Sequence, residues 1–90
     1  MEIPYEFEQF VKGFYPGSAK DKTHEEWIAS VLEFHSESSK NVIRAFLDVL
    51  LSERHTDEDL EEAWRRQYPS YDFSEGGHRY FLTKARAILG

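Results

Sequence analysis

Apolar residues recur at intervals of three and four along nearly the whole chain. This is the period of helices that each turn one side to a core. Ile3, Phe7, Phe10, Val11 and Phe14 open the pattern and predict a helix over about 4–14. Pro4 suits its first turn, where the missing N–H has no helical partner to lose. Tyr15-Pro16-Gly17-Ser18 then breaks the chain. Thr23 with Glu26 forms a capping box, in which each side chain satisfies an orphan N–H. The helix it opens runs to about residue 35, with Trp27, Ile28, Val31, Leu32 and Phe34 or His35 on its apolar side. Ser36 or Ser38 restarts the chain as a cap.

The next run, about 39–53, is the most apolar. Val42, Ile43, Phe46, Leu47, Val49, Leu50 and Leu51 cover more than one face, which predicts a central helix packed on two sides. Lys40, Arg44 and Asp48 mark its wet stripe. Thr56 and Asp59 repeat the capping pattern for a helix over about 57–67. Leu60, Ala63 and Trp64 face inward there, and Tyr68 is expected to join them at the end of the bundle. After Gly76-Gly77 a last helix spans about 77–89, with Tyr80 or Phe81, Ala85, Ile88 and Leu89 inward. Tyr71-Asp72-Phe73 alternates but is too short to pair as a strand. The expectation is one all-α domain over residues 1–90, a compact bundle of four to five short helices around a central apolar helix.

Size and charge narrow the function. Ninety residues allow one core and little room for a deep substrate cavity. The 16% aromatic content supplies large buried areas. Seventeen acidic against 11 basic residues give a net charge of −6. That balance argues against nucleic acid, whose binding rests on Lys and Arg, and against an anionic membrane surface. It suits a basic partner, although an acidic surface also serves plain solubility. The absence of cysteine excludes disulfides and thiolate metal sites and points to a reducing, cytoplasmic setting. Met1-Glu2-Ile3-Pro4 lacks the basic start and apolar run of a secretory leader.

No catalytic pattern emerges, and no catalytic, cofactor or metal residue is expected. His24, His35, His55 and His78 show no metal-ligand spacing and read as helix-end or core-margin residues. The serines read as caps, and the glycines form no phosphate-binding loop. The chemistry concentrates instead in residues 56–75. Asp57, Glu58 and Asp59 complement the dipole of their helix. Glu61–Arg65 and Glu62–Arg66 stand at pairing distance in sequence. Three aromatics follow in the six residues from Tyr68 to Phe73. Tyr68 and Phe73 are expected to plug the bundle, leaving Tyr71 and Asp72 at the surface. Carboxylates beside rings are the composition of a hot spot for a basic protein surface.

These same stretches resemble a known family, the bacterial contact-dependent growth inhibition immunity proteins. The family's opening Pro and its QF-x-x-G-[YF]-[FY] run are similar to Pro4 and to Gln9-Phe10-Val11-Lys12-Gly13-Phe14-Tyr15. Its closing part resembles Phe46-Leu47-Asp48-Val49-Leu50-Leu51, then Thr56 through Glu62, the turn Tyr68–Phe73, Gly76-Gly77, and Tyr80-Phe81-Leu82 to Ala87-Ile88-Leu89. The chain departs from the family after the first helix. There Pro16 to Asp21 stands in place of an acidic-aromatic segment, and Trp27 is displaced into the second helix. The resemblance implies an acidic helical protein that neutralises a cognate toxin domain, and the chain is expected to be a monomer or weak dimer. Such toxins are often nucleases with basic clefts, and colicin-type immunity proteins offer an analogy.

Asp57, Glu58, Glu61, Glu62, Tyr71, Asp72 and Glu75 are therefore the expected partner-binding residues. A contrasting expectation is an adaptor whose apolar groove, near Phe14, Tyr15 or Trp27, docks a helix of another protein.

Overall fold

Three of the α-helices begin at a hydroxyl side chain that accepts an orphan N–H of the first turn, from Thr23, Ser36 and Thr56. The computed structural model describes residues 2–74 and 76–90. Among these it contains five α-helices and one short 3-10 turn, and no strand. α1 (Tyr5–Lys12) follows Pro4, and the 3-10 turn spans Pro16–Ala19. α2 (His24–Leu32) carries the Thr23–Glu26 capping box. α3 (Glu37–Leu50) is capped by Ser36, whose Oγ accepts the Ser39 N–H at 3.1 Å. α4 (Asp57–Arg65) carries the Thr56–Asp59 box. α5 (Gly77–Leu89) starts after Gly76, which sits at a φ of 84° that glycine adopts without strain.

The buried residues follow the helical period. Phe7, Phe10 and Val11 are the buried residues of α1, which packs on α3, where the Phe46 ring lies tilted with its centroid 4.8 Å from that of Phe7. Trp27, Ile28, Val31 and Leu32 line α2, and Leu60, Ala63 and Trp64 line α4. On α5 the buried set is His78, Phe81, Leu82 and Ala85. Tyr80 and Ile88 face solvent, so the inward member of the Tyr80–Phe81 pair is Phe81. Phe14, just past α1, ties the middle together. Its ring meets Trp27 at 5.0 Å, Phe81 at 5.1 Å and Trp64 at 5.7 Å.

α3 packs against α1 on one side and α5 on the other, as its broad apolar surface requires. Its buried stripe is nevertheless narrower than the sequence suggests. Ile43, Phe46, Leu47 and Leu50 are covered, while Val42 and Val49 reach solvent. The most widely shared helix is α5, which meets α2, α3 and α4. It is fastened electrostatically as well as by packing. Lys84 pairs with Glu25 of α2, Arg86 with Asp48 of α3 at 2.6 Å, and Arg79 with Asp57 of α4. Arg44 of α3 adds a bond to the Leu89 carbonyl at 2.7 Å. The stripe of α3 that reads as wet therefore faces the end of α5. The radius of gyration, 12.0 Å, is the ~12 Å of a compact chain of this length.

No described helix is long and apolar enough to cross a membrane.

Candidate partner-binding surface

α4 turns its apolar side to the core, so its other positions point outward or sideways. Where each carboxylate lies on that circle decides whether it has a partner. Asp57 lies toward α5 and is held by Arg79. Asp59 accepts the Thr56 N–H and lies 3.3 Å from His55 Nδ1. The Thr56 N–H is the main cause that holds the Asp59 carboxyl below its ordinary range. Glu61 meets Arg65 at 3.3 Å, one turn on. The matching pair Glu62–Arg66 does not form. Among the described residues, Glu58 and Glu62 have no ion-pair or side-chain hydrogen-bond partner, and both are exposed.

The turn after α4 reverses the roles expected of its tyrosines. Tyr68 is 90% exposed rather than plugging the bundle, and its backbone sits at a φ of 54°. The N–H groups of Gln67 and Tyr68 close the last turn of α4 on the Trp64 and Arg65 carbonyls, and the left-handed residue swings its side chain out of the fold. Tyr71 is partly buried against the core. Its ring lies 4.9 Å from Trp27 and 5.1 Å from Phe73, and its carbonyl accepts Trp64 Nε1–H at 2.8 Å. Trp27 and Trp64 come from distant parts of the chain, so Tyr71 belongs to the rim of the core. Phe73 packs inward as expected, 4.6 Å from Phe81.

Asp72 is held from three sides. Arg65 Nε donates at 2.7 Å, His78 Nε2 at 2.6 Å and the Phe73 N–H at 2.9 Å. Partial burial works against its charge, but these hydrogen bonds prevail and keep the carboxyl below its ordinary range. Arg65 is correspondingly pushed up by Asp72. His78 is 1% exposed, so this Asp–His contact fastens the turn to the start of α5 and offers no accessible base. With Nε2 carrying the shared proton, Nδ1 has no partner among the described residues. Glu75, also expected at the surface, lies outside the described residues.

The expected site residues thus separate. Asp57, Glu61 and Asp72 are tied to cations of the same chain, Tyr71 is packed, and Glu58 and Glu62 are free to meet a partner. No described group of three or more His, Asp or Glu has the arrangement to hold a metal ion.

A second surface is built from the first half of the chain. A groove of about 900 Å³ runs between α1, the 3-10 turn, α2 and the start of α3. Phe34, 91% exposed, and Tyr5 and Tyr15, both over half exposed, stand on it. Phe34 fails to join the α2 core because the helix ends at Leu32, two residues before it. The groove is shaped by Gly13. A Cβ there would fall 2.6 Å from Val31 Cγ1, so only glycine allows α1 and α2 this approach without a shift. The adaptor expectation located its groove on Phe14, Tyr15 and Trp27. Phe14 and Trp27 are buried, and only Tyr15 takes part. The helical pattern continues to about residue 35 in the sequence, so no local signal showed that Phe34 falls past the end of α2.

No protein-family model, curated protein or solved structure matches this chain.

Proposed function

We propose that this chain is an immunity protein. It binds and neutralises a cognate toxin domain of contact-dependent growth inhibition in the bacterial cytoplasm, the expected toxin being a nuclease with a basic cleft. The observation that carries this reading is the outer face of α4. Glu58 and Glu62 are exposed there without an internal partner among the described residues, and Tyr68 projects beyond the end of the same helix. Two carboxylates that lose no existing ion pair on docking suit a cationic surface, and an exposed ring supplies apolar area. The net charge of −6 steers a basic domain toward them. The family resemblance of the opening and closing stretches supports the same role.

The test is a double charge reversal, E58K/E62K, titrated calorimetrically at two salt concentrations against the toxin domain encoded beside this gene. Affinity should fall about tenfold or more, and its salt dependence should become shallower. Unchanged affinity and salt dependence, with the helical circular dichroism intact, would reject the α4 surface.

A further inference from the structure

The groove between α1 and α2 has a chemistry of its own, separate from the α4 face. Three rings stand exposed on it, from Tyr5, Tyr15 and Phe34. Two carboxylates line it, Glu6 on α1 and Glu33 at the end of α2, and neither has a partner among the described residues. Among the described residues one ammonium lines the groove, that of Lys22, which donates to the Ser18 carbonyl at 3.2 Å and to Ser30 Oγ at 3.4 Å. His35 also lines it, with Nδ1 2.8 Å from Ser39 Oγ; burial chiefly, and then Lys40, lower its pKa and favour the neutral ring. Two carboxylates against one ammonium leave the described lining of the groove net negative.

Exposed rings beside free carboxylates match one side chain best. A guanidinium stacks flat on an aromatic face while its N–H fork pairs with a carboxylate. We propose that this groove docks an arginine-bearing segment of a partner protein. The surface goes beyond the α4 reading and does not depend on it. A second copy of this chain fits less well. A two-fold contact sets the same face, with its excess of carboxylates, against itself. An anionic lipid surface is repelled by the same carboxylates.

The experiment uses the full chain, labelled with 15N, and three short synthetic peptides of equal leucine content carrying arginine, serine or glutamate. The arginine peptide should produce saturable amide shifts at Tyr15, Phe34 and His35, with affinity about tenfold above that of the glutamate peptide. F34A and E33K both alter exposed positions, so the fold is not at risk. Each should weaken the arginine peptide several-fold, whereas E58K/E62K should leave the shifts where they are. The proposal is overturned by any of four results: no saturation, equal affinity for all three peptides, shifts that map to Glu58 and Glu62, or concentration-dependent broadening at Phe34 that reveals self-association. Failure of E58K/E62K to affect toxin binding would count against the α4 surface alone.

Discussion

Tyr68 holds its backbone at a φ of 54°, where a side chain other than glycine is strained, and gains no burial in return. Strain of this kind persists where surroundings or function require it. Y68G should relieve it and stabilise the protein by about 1 kcal/mol, read as a rise in melting temperature. If the ring contacts the toxin, the same variant should bind more weakly. A stabler variant with full affinity would mean that the ring has no part in binding. Phe14 has the opposite character. It is wholly buried among Phe10, Trp27, Trp64 and Phe81. F14A should cost about 3–5 kcal/mol in chemical denaturation, enough to unfold much of a marginal chain. Asp72 lies between these cases. D72A removes the acceptor for Arg65 and leaves His78 Nε2 buried without one. A loss of about 1–3 kcal/mol is expected, with faster amide exchange at the start of α5. A neutral result would show that the Arg65–Asp72–His78 tie does not hold the turn.

Among the elements, α5 depends most on its neighbours. Its three cations, Arg79, Lys84 and Arg86, each pair with a carboxylate from a different helix. Exposed pairs of this sort contribute little singly, but here they fix the orientation of one helix against three others. The pairing also sorts the acidic residues of α4. Asp57 is drawn to α5, which leaves Glu58 and Glu62 facing out. α1 and α2 depend on a different device, the missing side chain at Gly13. G13A should force Val31 aside and cost about 1–3 kcal/mol, shifting the amides of both helices in NMR spectra. If the variant is as stable as the parent, the close approach of α1 and α2 is not required.

For the whole molecule, the charges set an acid limit to stability. Hydrogen bonds to Lys84 lower Glu25, those to the Thr23 N–H lower Glu26, those to Arg86 lower Asp48, and those described above lower Asp59 and Asp72. The folded state binds these protons less tightly than the unfolded chain. Their contribution is present in full above the ordinary carboxylate range near pH 4 and is lost as pH falls through the lowered values. His35 acts with the same sign at higher pH. Its lowered pKa favours the folded state above the ordinary histidine value of 6.5, and that advantage fades as pH falls through the lowered value. Melting temperature should therefore decline gently below neutrality and steeply below about pH 4, and a flat profile would contradict both assignments. By itself the sequence determined the all-α class, the capping boxes at Thr23 and Thr56 and most of the inward residues, because period and capping act within about four residues along the chain. It also marked Phe73 as core and Glu58 and Glu62 as outward positions on α4. Tertiary structure alone decided that Tyr71 is covered and Tyr68 is not, since Trp27 comes from another helix. It likewise decided that Asp57 and Asp72 are spent on Arg79, Arg65 and His78, and that Phe34 overlooks a groove. Those outcomes depend on which distant residues the packed helices bring within reach, and no local pattern encodes that distance.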